Sequence, residues 1–101
     1  MSTDIKTEKK IKIRVEEPKR WKVIFLNDDH TPIDFVMMLL IDIFKHDEDS
    51  AHKVTMQVHE SGSGIAGTYE FEIAEIKAVD TTKLARENGF PLQIKIEMCE
   101  D

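Results

Sequence analysis

The chain has 101 residues, 41% of them hydrophobic, and a formal net charge of −6. That length allows one small domain with a single apolar core, and the acidic balance excludes a general nucleic-acid binder, which needs a basic stripe to release counterions from phosphates. One cysteine, Cys99, permits no internal disulfide and fits a reducing compartment. No apolar run approaches the ~20 residues of a membrane span, and the N-terminus lacks the apolar stretch of a signal peptide, so a cytoplasmic protein without a membrane partner is expected.

Residues 1–17 are charged and lack turn chemistry, which predicts a flexible N-terminal arm, although Ile11, Ile13 and Val15 alternate with Lys12, Arg14 and Glu16 in a weak strand pattern. Pro18 marks the start of a domain expected to fill 18–101. Trp21 to Leu26, dense in β-branched and aromatic residues, reads as a first strand. It runs into Asn27-Asp28-Asp29-His30-Thr31-Pro32. Thr31 is the expected N-cap there and Pro32 the first residue of a helix reaching about Lys45. Three acceptor-rich side chains in a row, held between a strand and a helix, make a preorganised polar cluster suited to a small cation with several N–H donors.

The first helix carries Phe35, Val36, Leu39, Leu40, Ile43 and Phe44 as one apolar stripe. Met37, Met38 and Ile41 add a second apolar face, more than one core contact needs, so part of this helix is expected to line a groove. Asp47 caps a second helix, with Glu48 and Asp49 at its positive end and Ala51, Val54, Thr55 and Val58 as its buried stripe. His59 follows Thr55 by one turn on the same face.

Gly62 to Gly67 reads as a turn. Tyr69, Phe71 and Ile73 alternate with Glu70 and Glu72 as a second strand, and a third helix is predicted from about Glu75 to Asn88, stopped by Gly89. Pro91 opens a last strand in which Leu92, Ile94, Ile96 and Met98 alternate with polar residues. The order β-α-α-β-α-β with a clean period of two implies an α+β domain. Its three-stranded antiparallel sheet is covered on one face by three helices.

Several motifs are weaker than they look. Gly62-Ser63-Gly64-Ile65-Ala66-Gly67 matches G-x-G-x-x-G, but it leaves a helix and enters a strand, the reverse of a dinucleotide-binding turn. His52 and His59 are seven apart with no H-x-x-x-H pair, and His30 and His46 read as loop or terminal residues, so no metal site is expected. No serine sits in a nucleophile elbow, Cys99 is almost terminal, and the adjacent Asp28 and Asp29 point apart in a turn; no catalytic residue is assigned. His59 has small or apolar neighbours in Thr55 and Val58. It is either a partly buried polar residue or the rim of an apolar pocket, offering a ring nitrogen as acceptor. If the Asn27–Asp29 turn packs beside such a pocket, three acceptors converge there, and the natural guest is an ammonium carrying an apolar side chain, such as a peptide N-terminus.

The run Trp21-Lys22-Val23-Ile24-Phe25-Leu26-Asn27-Asp28-Asp29-His30-Thr31-Pro32, followed by Val58-His59-Glu60, Gly67-Thr68-Tyr69, Glu72-Ile73-Ala74-Glu75-Ile76-Lys77, Ala85-Arg86-Glu87-Asn88 and Pro91-Leu92, resembles the ClpS adaptor family. The resemblance spans roughly Pro18 to Met98. It implies a non-enzymatic adaptor of the N-degron pathway, without cofactor. Such an adaptor binds proteins with a bulky hydrophobic N-terminal residue (Phe, Tyr, Trp or Leu) and delivers them to the N-terminal domain of a ClpA- or ClpC-type AAA+ unfoldase. By position, Asn27, Asp28, Asp29 and His59 would hold the substrate α-amino group. Thr31, Ile33, Val36, Thr55, Val58 and Leu92 would line the side-chain pocket, and Glu72 and Lys77 would meet the unfoldase. The family often has Met at the positions of Ile33 and Thr55, so pocket shape and polarity differ here, and an aromatic is common where His30 stands. Two other readings compete. One is a regulatory domain that docks the unfoldase without reading N-termini, which would bind no Leu- or Phe-initiated peptide; the other is a small metal-dependent enzyme, which would carry stoichiometric metal.

Overall fold

The computed structural model describes residues 19–100; the arm expected over 1–17 lies outside the described residues. Strand β1 (Trp21–Leu26) is central and pairs antiparallel with both β2 (Ser63–Tyr69) and β3 (Gln93–Met98), giving the order β2-β1-β3. Trp21, Val23 and Phe25 stand opposite Met98, Ile96 and Ile94, so alternate residues of two strands share one face. Val23 and Phe25 are fully buried on it. Helices α1 (Ile33–Asp42), α2 (Glu48–Ser61) and α3 (Phe71–Glu87) supply most of the rest of the core through Val36, Leu39, Leu40, Ala51, Val58, Ala74 and Ala85. Met37, Met38 and Ile41, expected to leave a spare apolar face, are half-buried against this same core.

The segment Gly62–Gly67 departs from its sequence reading. Only Gly62 turns the chain, as the left-handed C-cap of α2 with φ +94°; Ser63 onward is strand because β1 offers its backbone as partner. Val23 faces Gly67 while Ile24 faces Ile65, so Ala66 is the extra residue of a β-bulge and is buried in the core. Gly64 allows β2 to approach α2 closely: a Cβ there would lie 2.8 Å from Val58 Cγ2 and 3.3 Å from the Val54 carbonyl.

The strand predicted through Ile73 stops at Tyr69, and α3 begins at Phe71 rather than near Glu75. The alternation of Tyr69, Phe71 and Ile73 was compatible with a strand, but its last two members serve a helical first turn. There Phe71 meets Trp21 edge-on at 4.9 Å between ring centres. At its other end α3 closes as a Schellman motif, with Phe90 N donating to Ala85 O at 2.9 Å and Gly89 N to Arg86 O at 3.0 Å, Gly89 standing at φ +82°.

Lys77 and His46 each join distant elements. Lys77 of α3 donates from Nζ to the Ile43 carbonyl at the end of α1, 2.7 Å away. His46 is not a free loop residue: its Nε2 lies 2.7 Å from Ala66 O, which it must meet as N–H donor, and its Nδ1 lies 2.7 Å from Ser50 Oγ. The ring thereby ties the start of α2 to the bulge of β2.

Candidate functional site

The turn after β1 is held by its own second residue. Asp28 Oδ1 accepts from His30 N at 2.7 Å and Thr31 N at 2.8 Å, and Oδ2 accepts from Thr31 Oγ1 at 2.7 Å. Thr31 is therefore not the N-cap expected from sequence; its hydroxyl is spent on Asp28, and α1 starts from Pro32 without a side-chain cap. Burial alone pushes the Asp28 carboxyl up. The Thr31 hydroxyl and the His30 and Thr31 N–H groups outweigh it and hold the carboxyl below the usual aspartate value. Asn27 N donates to Gly62 O at 2.9 Å, which fastens the turn to the end of α2.

That fastening brings two remote stretches together around a cavity of about 230 Å³. Asn27, Asp28, Asp29, Thr31, Ile33 and Val36 line it from one side, and Thr55, Val58 and His59 from α2. Val36, Thr55 and Val58 are buried and form its depth; Asn27, Asp29 and His59 are exposed and edge its mouth, with Ile33 at 42% exposure on the rim. Leu92 lines a narrow recess of the same region together with Thr31, Val36 and Val58, and it is also part of the core, as its alternation suggested. One feature has no echo in the sequence pattern: the buried Thr55 hydroxyl has no hydrogen-bond partner among the described residues. A larger depression of about 480 Å³ also borders the turn, lined by Leu26, His30, Pro91 and Gln93 together with residues 27–29. It lacks the buried apolar wall that α1 and α2 give the first.

Glu72 is exposed in the first turn of α3, beside exposed Phe71, Ile73, Ile76 and Val79. Lys77, expected to meet the unfoldase together with Glu72, is half-buried: besides its bond to Ile43 O, its Nζ lies 5.3 Å from the Tyr69 ring centre and 5.8 Å from that of Phe44. Among the described residues no three His, Cys, Asp or Glu side chains cluster as a metal site, and no helix is long and apolar enough to cross a membrane.

Residues 16–95 match the family model described as "ATP-dependent Clp protease adaptor protein ClpS". The chain belongs to the ClpS family. It is 44% identical to the ClpS adapter protein of Wolinella succinogenes over 96% of this chain and 95% of that one. It is 45% identical to that of Clostridium acetobutylicum over 84% of each. The structure of Agrobacterium tumefaciens ClpS2 bound to L-phenylalaninamide superposes with a TM-score of 0.79 at 42% identity, covering 82% of this chain and all of the other. Like its ClpS relatives, the protein is an adaptor of the Clp protease and not an enzyme.

Sequence reasoning missed the structural use of Asp28, Lys77 and His46. An acceptor two and three residues before free N–H groups signals the first. The other two bridge elements 34 and 20 residues apart, and no local pattern marks them.

Proposed function

We propose that this chain binds the free N-terminus of proteins beginning with a bulky hydrophobic residue, Phe, Tyr, Trp or Leu, and delivers them to a Clp AAA+ unfoldase in the cytoplasm. The observation that carries this reading is the joining of two chemistries in one small cavity: a buried apolar wall of Val36 and Val58, continued by Leu92 in the adjoining recess, and a mouth edged by Asn27, Asp29 and His59. A cavity of this size is below the usual range of small-molecule sites and suits one side chain. An α-ammonium at the mouth offers three N–H donors to the Asn27 carbonyl oxygen, the Asp29 carboxylate and a ring nitrogen of His59, the carboxylate either directly or through a water. Asp28 acts at one remove, since its oxygens already hold the turn that presents Asn27 and Asp29. The phenylalaninamide bound to the ClpS2 relative has this combination of free amine and apolar side chain.

Delivery needs a second surface. The exposed apolar face of α3, with Glu72 among Phe71, Ile73, Ile76 and Val79, suits the N-terminal domain of a ClpA- or ClpC-type unfoldase. Lys77 shapes this face from beneath by fixing α3 to α1.

The deciding experiment compares peptides that begin with Phe or Leu, free or N-acetylated. Acetylation removes the charge and all but one donor, so binding should be lost. An acetylated peptide that binds as well as the free one overturns the reading. Failure of both free peptides to bind, with unfoldase docking retained, would favour a purely regulatory domain.

A further inference from the structure

Among the described residues two threonines are buried within helices, and they treat their hydroxyls differently. Thr81, fully buried in α3, donates to the carbonyl of Lys77 four residues back, at 2.7 Å. This is the usual solution for a buried helical threonine, since the preceding turn always offers an acceptor. Thr55 of α2, with 2% of its surface exposed, has no partner for Oγ1 among the described residues. Its own helix supplies the Ala51 carbonyl at the equivalent position, and the hydroxyl does not take it. A buried polar group left unpaired is rare and costly, and it calls for a partner from outside the fold.

The place of Thr55 indicates what that partner is. It forms part of the deep wall of the 230 Å³ cavity, among Val36 and Val58. His59, at the mouth, lies four residues further along α2, about 6 Å at the rise of an α-helix. That is roughly the length of an aromatic side chain. A guest whose amine is held at the mouth, and whose side chain runs back along α2, brings the tip of that side chain to Thr55. A phenylalanine tip has nothing to give the hydroxyl; a tyrosine tip carries an O–H that both donates and accepts.

We infer that Thr55 makes this cavity selective for N-terminal tyrosine over N-terminal phenylalanine, by pairing its otherwise orphaned hydroxyl with the phenol. The inference rests on the N-terminus-binding reading above and adds the residue class the site prefers. A site built to pair a substrate hydroxyl discriminates against the analogue that lacks it, because its own polar group then stays unpaired. A neutral hydrogen bond of ordinary net strength corresponds to a preference of roughly three- to tenfold.

The test uses two peptides identical except for Tyr or Phe at the first position, titrated against the full chain and against Thr55→Val and Thr55→Ser. Valine keeps the β-branched shape without the hydroxyl, and serine keeps the hydroxyl without the branch. The expected result is a preference for Tyr in the unmodified protein, loss of that preference in Thr55→Val and its retention in Thr55→Ser. An unmodified protein that binds the two alike, or a Tyr-to-Phe ratio unmoved by Thr55→Val, overturns the inference. Equal losses for both peptides in Thr55→Val would assign the hydroxyl to packing or to a resident water and overturn it too. In each of these cases the N-terminus-binding reading stands, because it depends on the free amine. Binding unaffected by N-acetylation brings down that reading and the tyrosine preference with it.

Discussion

Lys77 reaches from the second turn of α3 to the carbonyl of Ile43 at the end of α1, a contact of 2.7 Å between residues 34 positions apart. The ammonium meets the negative end of the α1 dipole and lies near the Phe44 and Tyr69 rings, so three weak attractions converge on one cation. A residue proposed for the docking surface is thus also a clip inside the fold. Lys77→Ala should lower stability by about 1.5–3 kcal/mol, the scale of hydrogen bonds to charged groups. Urea denaturation of the variant measures it, and an unchanged midpoint would show that the contact contributes nothing.

Docking is therefore better tested at Glu72, which is exposed and carries no such duty. Glu72→Lys should disrupt association with the unfoldase, and hence delivery, while leaving stability and peptide binding close to those of the parent protein, because a rim charge orients a partner without supporting the core. Unimpaired delivery of a Phe-initiated substrate by this variant would remove α3 from the interface.

At the mouth of the cavity, Asn27→Ala and His59→Ala should each weaken peptide binding by roughly ten- to a hundredfold, since hydrogen bonds to a charged group are in play. Binding should also fall as pH rises through the α-amino pKa, roughly 7.7–8.0, because the uncharged amine loses a donor and its charge. Isothermal titration from about pH 6 to about pH 9 reads both effects. Affinity that rises across that range would contradict an ammonium ligand.

Asp28 and its neighbour Asp29 should separate by readout. Asp28→Ala frees two N–H groups and a hydroxyl, which should cost on the order of 1 kcal/mol, as loss of a capping side chain does, and weaken binding indirectly. Asp29→Ala should weaken binding at nearly unchanged stability. The Asp28 carboxyl is held below its usual value in the fold. Its contribution is therefore complete above the unfolded value of about 3.9 and is lost as pH falls through the lower folded one. Asp28→Asn lacks that titration. Its stability difference from the parent protein should shrink on acidification from about pH 5 to about pH 3, and a difference constant over that interval would show that the carboxylate is not what holds the turn.

Position 55 also sets the room available. Thr55→Met would fill the depth of the cavity with a long, flexible thioether. It should shift preference from Trp toward Leu by up to the ~1–3 kcal/mol that one methylene commands in an apolar pocket. An unchanged Leu-to-Trp affinity ratio would show that this side chain does not shape the bound guest's surroundings.

Much of this was legible in the chain alone, because some signals are local. Trp21–Leu26 is a strand on composition; Asp47 caps α2 through the bond from Ser50 N to its Oδ1 at 2.8 Å; Gly89 ends α3. Each depends on a few consecutive residues, and each stands where it was expected. The family motif singles out Asn27, Asp29 and His59 as the residues for the amine, and all three line one cavity. Where two local patterns competed, only tertiary structure could choose. Gly62–Gly67 had the composition of a turn and became mostly strand, because β1 was there to pair with it and Gly64 could lie against Val58. Phe71 and Ile73 alternated like a strand and became a helix, because Phe71 found Trp21. The roles of Lys77 and His46 and the orphaned hydroxyl of Thr55 had no sequence signal at all. Periodicity tells which way a side chain faces, but a hydrogen bond is decided by what folding brings within about 3 Å of it.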